Sequence, residues 1–325
     1  MLSVRNFSCT SSPYFNSSLN DLSLLDQDIV KKVKQEVIAE KEKAFKKEEA
    51  EVLCHFDTKT QKLVKAAQEK GASSWLSALP LKKLGYAINK EEFRDAVSLR
   101  YGWDISDMPR FCACGKDNSV DHALICGLGG YTIMRHNSLR DTEAKILKEV
   151  CNDVKTEPRL IPTNAELLYG NAADEARLDI SARGLWSGGE KTMFDVKVTH
   201  PTAPSYLNKS MDAIYRDSEY SKKYDYQQRV LNVEKCSFTP PAFPNTGGMA
   251  PDCTRTNKRI ATLISVKTGE SYSHVVSHLR TRLRFALLRA CLVSIRGFRG
   301  KEFKTDEETQ LNEISFSLIP RASVE

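Results

Sequence analysis

Hydrophobic and polar positions along this chain change their period several times, and the changes mark out its elements. From about residue 21 to residue 70 apolar positions are sparse, with Leu24, Val30, Val33, Val37 and Ala44 spaced loosely along one helical face. Glu36, Glu40 and Glu42 stand among Lys31, Lys32, Lys34, Lys41, Lys43, Lys46 and Lys47, a mixture that allows pairing one turn apart. The segment reads as a solvated helix or a short coiled-coil arm, with nucleic-acid contact as the other use of so many lysines. Gly71 breaks it. Residues 72–109 then carry Trp75, Leu76, Leu79 and Leu81 as core material, and Asn89 caps a helix with Phe93, Ala96, Val97 and Tyr101 on one face. A further helix opens near Asn137, with Leu139, Ala144, Ile146, Leu147 and Val150 as its apolar side. Thr156–Pro162 reads as a short strand.

From Glu175 to Pro201 the period falls to two. Ala176, Leu178 and Ile180 alternate with Arg177, Asp179 and Ser181, and Phe194, Val196 and Val198 alternate with Asp195, Lys197 and Thr199. Ser187-Gly188-Gly189 supplies the turn of a hairpin. If the Phe194 face is core, Asp195 and Lys197 project together from the other side, and the strand register decides whether Asp179 reaches them. A polar helix over 205–233, a strand over 235–243 and a long helical element over 252–300 complete the pattern. The expected organisation is a flexible lead and charged helix (1–70), a helical unit with a cysteine cluster (71–131), an α/β domain (132–301) and a tail (302–325).

With 325 residues, 41% of them hydrophobic, the chain is long enough for a sizeable core. The net charge of +6 is modest, so where the basic residues lie matters more than their sum. Nine cysteines without a signal-type apolar start predict reduced thiols inside a cell. Arg289 interrupts the longest apolar stretch, so no membrane span is expected.

Three constellations carry candidate chemistry. Cys112, Cys114, His122 and Cys126 follow C-x-C-x7-H-x3-C, the ligand types of a closed tetrahedral zinc site, with ordinary buried thiols as the alternative. Asp179, Asp195 and Lys197 are the groups that metal-assisted phosphodiester cleavage needs, since carboxylates hold a hard divalent cation and a lysine offsets phosphate charge. The same D-x-K pattern on an edge strand is common and by itself reads as a solvated face, so context has to carry the chemistry. Glu143 and Glu149 lie on the helix near 137 within possible reach of such a site, and His136 suits either a phosphate contact or a structural hydrogen bond. Arg282, Arg289 and Arg296 recur every seven residues on one helical stripe, with no acid between Tyr272 and Lys301. That stripe suits a phosphate backbone. The tyrosines and lysines of 205–233 suit a nucleic-acid surface or an ordinary amphipathic helix. The Gly127-Leu128-Gly129-Gly130 turn lacks the Lys-Ser/Thr of a phosphate loop and is set aside.

The order helix, strand, hairpin with D…D-x-K, helix, strand, helix resembles the αβββαβ core of the PD-(D/E)xK restriction-endonuclease-like superfamily. A Cys/Cys/His/Cys knuckle ahead of such a core, with ALPLKKLGYAINKEEFRDAVSLRYGW, HALICGLGG, RHNSLRD and FDVKVTHP, resembles the C-terminal region of non-LTR retrotransposon polyproteins. Arg177-Leu178-Asp179 and Asp195 match that family's basic residue, first acid and second acid, although Leu178 replaces its proline and the knuckle is tighter. The resemblance covers about residues 71–300. It implies a DNA endonuclease with Asp179 and Asp195 as Mg²⁺ ligands, Lys197 as catalytic lysine, Glu143 or Glu149 assisting, and structural Zn²⁺ in the knuckle. Lys209 with Tyr206 or Tyr215 would answer to a further lysine and tyrosine of the family. It also implies DNA as partner and a nuclear setting. No reverse transcriptase precedes the module here, which implies a domesticated gene or a remnant. The competing expectation is a zinc-stabilised nucleic-acid-binding protein without catalysis.

Overall fold

The computed structural model describes residues 27–162 and 176–297. The Ser-rich lead, the stretch 163–175 ahead of the hairpin, Arg299, Lys301 and the expected tail lie outside the described residues. The chain divides into two compact units, Met1–Phe56 and Asp57–Glu325. Helix α1 (Gln27–Leu53) is the described part of the first. Its Ile29, Val33, Val37 and Phe45 are exposed, as its sparse apolar pattern implies. The residues expected as separate units at 71–131 and 132–301 cluster within the second, together with α2 (Thr58–Gln68).

Local chemistry places the helices of the second unit. Asp57 caps α2 by accepting from Thr60 N at 3.1 Å. After α3 (Ser74–Ser77) comes α4 (Lys90–Tyr101), which opens on a reciprocal box: Asn89 Oδ1 accepts from Glu92 N, and Glu92 Oε2 accepts from Asn89 N, both at 2.8 Å. Helix α5 (Val120–Ile125) is capped by Ser119. Helix α6 (Tyr131–Leu147) starts earlier than Asn137, because Gly130 takes φ +71 and turns the chain directly into it. Helix α7 (Met211–Arg229) starts later than residue 205, at the Ser210 cap, and ends in a single π turn. The long element expected over 252–300 is two helices, α8 (Pro251–Thr268) and α9 (Tyr272–Arg296). Gly269, at φ +76, closes the first and Ser271 caps the second.

The strands are short. β1 (Asn152–Thr156), β2 (Ile180–Arg183), β3 (Lys191–Phe194) and β5 (Ser237–Thr239) form one sheet in the order β1-β2-β3-β5, with the first two pairings antiparallel and β3 parallel to β5. β4 (Lys197–Thr199) and β6 (Ala242–Pro244) pair in parallel as a second sheet. The fold class is therefore α/β. The expected strand over 156–162 lies earlier, as β1, and only an isolated bridge from Arg159 to Arg177 extends it. The strand expected over 235–243 is split between β5 and β6. Pro240 and Pro241 stand at the split, where a residue without an N–H cannot continue the ladder.

One core joins the layers. Ile146 and Leu147 of α6, Ile180 and Phe194 of the sheet, Ile260 of α8 and Leu279, Leu283 and Leu287 of α9 are all buried in it. Helix α9 packs on α3, α4, α5, α6 and α8, so it is buried nearly all round. No helix among the described residues is long and apolar enough to cross a membrane.

Candidate active site

The two sheets part company at the acids. β3 ends at Phe194 and β4 begins at Lys197, leaving Asp195 and Val196 at the fork, opposite the Pro240–Pro241 break in the neighbouring strand. Freed from a ladder, the Val196 N–H donates to Asp179 Oδ2 at 2.6 Å. Asp179 sits one residue before β2, and its own N–H donates to Phe194 O at 3.1 Å, which fixes it across from Asp195. His136 comes from α6, with Nε2 3.1 Å from Asp179 Oδ2 and 3.0 Å from Val196 O. The ligand-type atoms of His136, Asp179 and Asp195 all lie within 4.8 Å of one another.

The surroundings set the two carboxyls apart. Burial raises that of Asp179, but the hydrogen bond and charge of His136 and the Val196 N–H outweigh it and hold it below the usual range. Burial pushes the Asp195 carboxyl up to about 6, against the pull of Lys222 and helped by the charge of Asp179. His136 is itself raised, because its contact with Asp179 outweighs its burial. Lys222 Nζ of α7 lies 2.8 Å from Asp195 Oδ2, an ion-pair distance, while that oxygen has no well-aligned hydrogen-bond donor.

Lys197 has no ion-pair partner among the described residues. Burial, and then the charge of Lys222, lower its pKa, with Asp225 and Asp195 acting the other way. It lines an open cleft with Thr132, His136 and Tyr206. His136 also lines a second cleft with Asn137, Arg140, Glu157, Arg177 and Asp179, so His136 stands between two grooves with Asp179 on one of them. The lysine that touches the site from the next helix is Lys222, not Lys209, and Tyr226, one turn on, lies 5.7 Å from its Nζ. Lys209 pairs with Asp217 at 2.6 Å on the surface and lies over Tyr206, while Tyr215 donates to Glu69. A signal for Lys222 was present: the inward positions Ile214, Tyr215, Ser218 and Glu219 continue at helical spacing into it.

The acids of α6 go elsewhere. Glu143 is two turns beyond His136 and is buried, its Oε1 without a hydrogen-bond partner among the described residues; burial pushes its carboxyl up to about 7, with Asn257 acting the other way. Glu149 accepts an ion pair from Arg282. Neither joins the cluster of His136, Asp179 and Asp195.

The arginine stripe is also differently used. Arg282 meets Glu149, Arg289 donates to the carbonyls of Gly85 and Ala87 at 3.0 and 2.5 Å, and Arg296 makes two bonds to Asp95 at 2.6 and 2.8 Å. The compensating groups lie far away in sequence, so a stripe that looks uncompensated along the helix stitches α9 to its neighbours.

The cysteine knuckle closes locally. Gly115, at φ +86, turns the chain so that Gly115 N bonds to Cys112 O at 2.8 Å and Cys112 N to Lys116 O at 2.9 Å. His122 and Cys126 are one turn apart on and just beyond α5. Cys112 Sγ and Cys126 Sγ are 3.9 Å apart, and Cys114 Sγ is 3.2 Å from His122 Nε2. Zinc–sulfur bonds of about 2.3 Å in a tetrahedron put two sulfurs roughly 3.8 Å apart. The cluster could hold a metal ion such as zinc. A scan against models of known protein families matches none of them, and comparison with curated proteins brings up no significant relative.

Proposed function

We propose that this protein is a metal-dependent DNA endonuclease of the restriction-endonuclease-like kind, with a structural zinc knuckle, akin to the module that closes non-LTR retrotransposon polyproteins. The observation that carries the reading is the convergence of Asp179 and Asp195 at the strand fork, with His136, Lys197 and Lys222 around them.

The donor set fits a hard divalent cation. Two carboxylates face one space, Asp195 Oδ2 lacks an aligned donor, and the Val196 carbonyl points to the same histidine nitrogen. A magnesium ion bound by Asp179 and Asp195 supplies Lewis acidity for phosphodiester hydrolysis. His136 shares its Nε2–H between Asp179 and Val196 O and so orients the carboxylate rather than ligating. Lys222 keeps Asp195 charged despite its burial. Lys197, with its amine softened by burial, lies where a phosphate oxygen or the attacking water would pass. A single strand laid across His136 would run from the cleft of Asn137 and Arg177, where Glu157 meets Arg140 and Arg177, into the Lys197 cleft, and a nuclear setting is part of the same proposal.

Nicking of supercoiled plasmid with added Mg²⁺ or Mn²⁺ tests the reading. The parent should nick, and Asp195→Ala should not while keeping its DNA affinity. Undiminished nicking by Asp195→Ala would remove the site. Tight binding by the parent without any nicking would favour a zinc-stabilised nucleic-acid-binding protein instead.

A further inference from the structure

A partly enclosed space, of about 70 Å³, lies between α2, the end of α4, the start of α5, the turn after β4 and α9. Three polar atoms of its lining residues are buried without a partner among the described residues. Arg284 is only 5 % exposed and faces no carboxylate; Nη1 donates to Asn245 O at 3.1 Å, and Nε has no partner among the described residues. Arg100 and Thr246 line the same space, and Arg100 Nε and Thr246 Oγ1 are also buried without a partner, while Arg100 Nη1 donates to Ala67 O at 3.3 Å and to Ser73 Oγ. Gly247 is shaped to this arrangement. A Cβ there would lie 2.5 Å from Arg284 Cδ and 2.8 Å from its Cζ, so the guanidinium needs the bare backbone.

The nearby acceptors are already used. Asp121 Oδ1 accepts from Thr202 Oγ1 at 2.8 Å and from His200 Nε2 at 2.9 Å, and its Oδ2 faces Lys59 at 2.5 Å. His200 Nδ1 accepts from Asn245 Nδ2 at 2.7 Å. Asp104 is exposed at the rim. Burial pushes the Arg284 guanidinium down to about 10, with the charge of Arg100 acting the same way. Unpartnered guanidinium Nε and hydroxyl donors around one space select an oxyanion, for which planar arginine forks are the matching shape.

Leu63, Leu99 and Val120 supply an apolar part of the wall, and Trp103 also lines the space. Trp103 is 58 % exposed and stacks on Tyr101 with centroids 5.0 Å apart. Arg100 in turn lies 5.4 Å over the Tyr101 ring. Exposed aromatic faces beside bound phosphate are how proteins hold a base without reading its sequence. We propose that this cavity takes the phosphate of a nucleotide, either free or at the end of a nucleic-acid strand, with the base stacked on Trp103. The site shares no residue with Asp179, Asp195, Lys197 or Lys222 and does not rest on the nuclease reading.

Thermal denaturation and tryptophan fluorescence of the full chain, without added divalent cation, test this. The probes are deoxyadenosine monophosphate, deoxyadenosine, inorganic phosphate, and oligonucleotides ending in a phosphate or a hydroxyl. The monophosphate should raise the melting temperature and quench the fluorescence, and deoxyadenosine at the same concentration should do neither. Trp103→Ala should weaken the monophosphate about tenfold, the scale of base–aromatic stacking, while inorganic phosphate binds as before. Arg284→Met should abolish both, and Thr246→Val, a milder change that keeps the fold, should weaken both by about fivefold. An oligonucleotide with a terminal phosphate that binds tighter than the monophosphate identifies a strand end, and equal binding identifies a free nucleotide. Equal affinity for deoxyadenosine and its monophosphate, or unaltered binding in both Trp103→Ala and Thr246→Val, would overturn the proposal. Asp195→Ala should leave all these results unchanged, so the two sites fail separately.

Discussion

Replacing Arg296 by glutamine decides whether the arginine stripe serves the fold or a phosphate backbone. Its guanidinium donates from Nε and Nη2 to the two oxygens of Asp95, at 2.6 and 2.8 Å, and so ties the last turn of α9 to α4. The Asp95 side chain is 4 % exposed, and its other cationic neighbour, Arg94, reaches it at 3.5 Å from a half-exposed position. Arg296→Gln leaves a buried carboxylate without its main counter-ion, a change that costs about 3–5 kcal/mol. Arg94 stays nearby and takes up part of the charge, which points to the lower end, about 3 kcal/mol. For a compact unit of this size that is a fall in melting temperature of roughly 6–12 °C. Circular dichroism or calorimetry reads it directly. Adding Asp95→Asn should restore much of the loss, with a coupling of about 2 kcal/mol between the two positions. A variant that melts within about 1 °C of the parent, and instead loses DNA affinity, would show that Arg296 is free for a ligand and would refute the reasoning.

Glu143 gives a pH signature. Its buried carboxyl is raised from an ordinary 4.5 to about 7, so between those values the folded chain holds more protons than the unfolded one. Stability present below the lower value therefore drains as pH rises through the upper one, by on the order of 3 kcal/mol. Glu143→Gln should remove that part of the decline between pH 5 and pH 8 in urea unfolding; parallel pH profiles for the two proteins would contradict it. On the nuclease reading, Lys222→Met should slow plasmid nicking about 100-fold, the usual loss for one electrostatic partner, with DNA affinity little altered. Normal rates in that variant would release Lys222 from the site. In the knuckle, Cys112→Ser should lower zinc content and melting temperature together, as a zinc chelator should in the parent, because structural zinc contributes folding energy. A zinc-free parent of unchanged stability would refute a structural metal there.

What the amino-acid sequence determined by itself is what short-range geometry enforces. The Cys112 knuckle closes within fifteen positions around one glycine turn, and the Asn89 box closes within four. The hairpin brings Asp179 and Asp195 together because antiparallel pairing of Ile180 with Phe194 leaves each acid one step outside the ladder. Alternation along the strands made that pairing legible, although it could not show that the sheet forks at Asp195, since the fork depends on the proline pair of a distant strand. Tertiary structure alone decided the rest. His136 and Lys222 reach the acids from helices 43 and 27 residues away from their carboxylate partners. Arg296 finds Asp95 across 201 residues. Periodicity reports which face of an element is buried, but a charge on that face takes its meaning from whatever partner the fold lays against it. The arginines of α9 therefore became internal supports and Glu143 was buried away from the site, while Lys222, on the inward stripe of a polar helix, came to lie on the carboxylates.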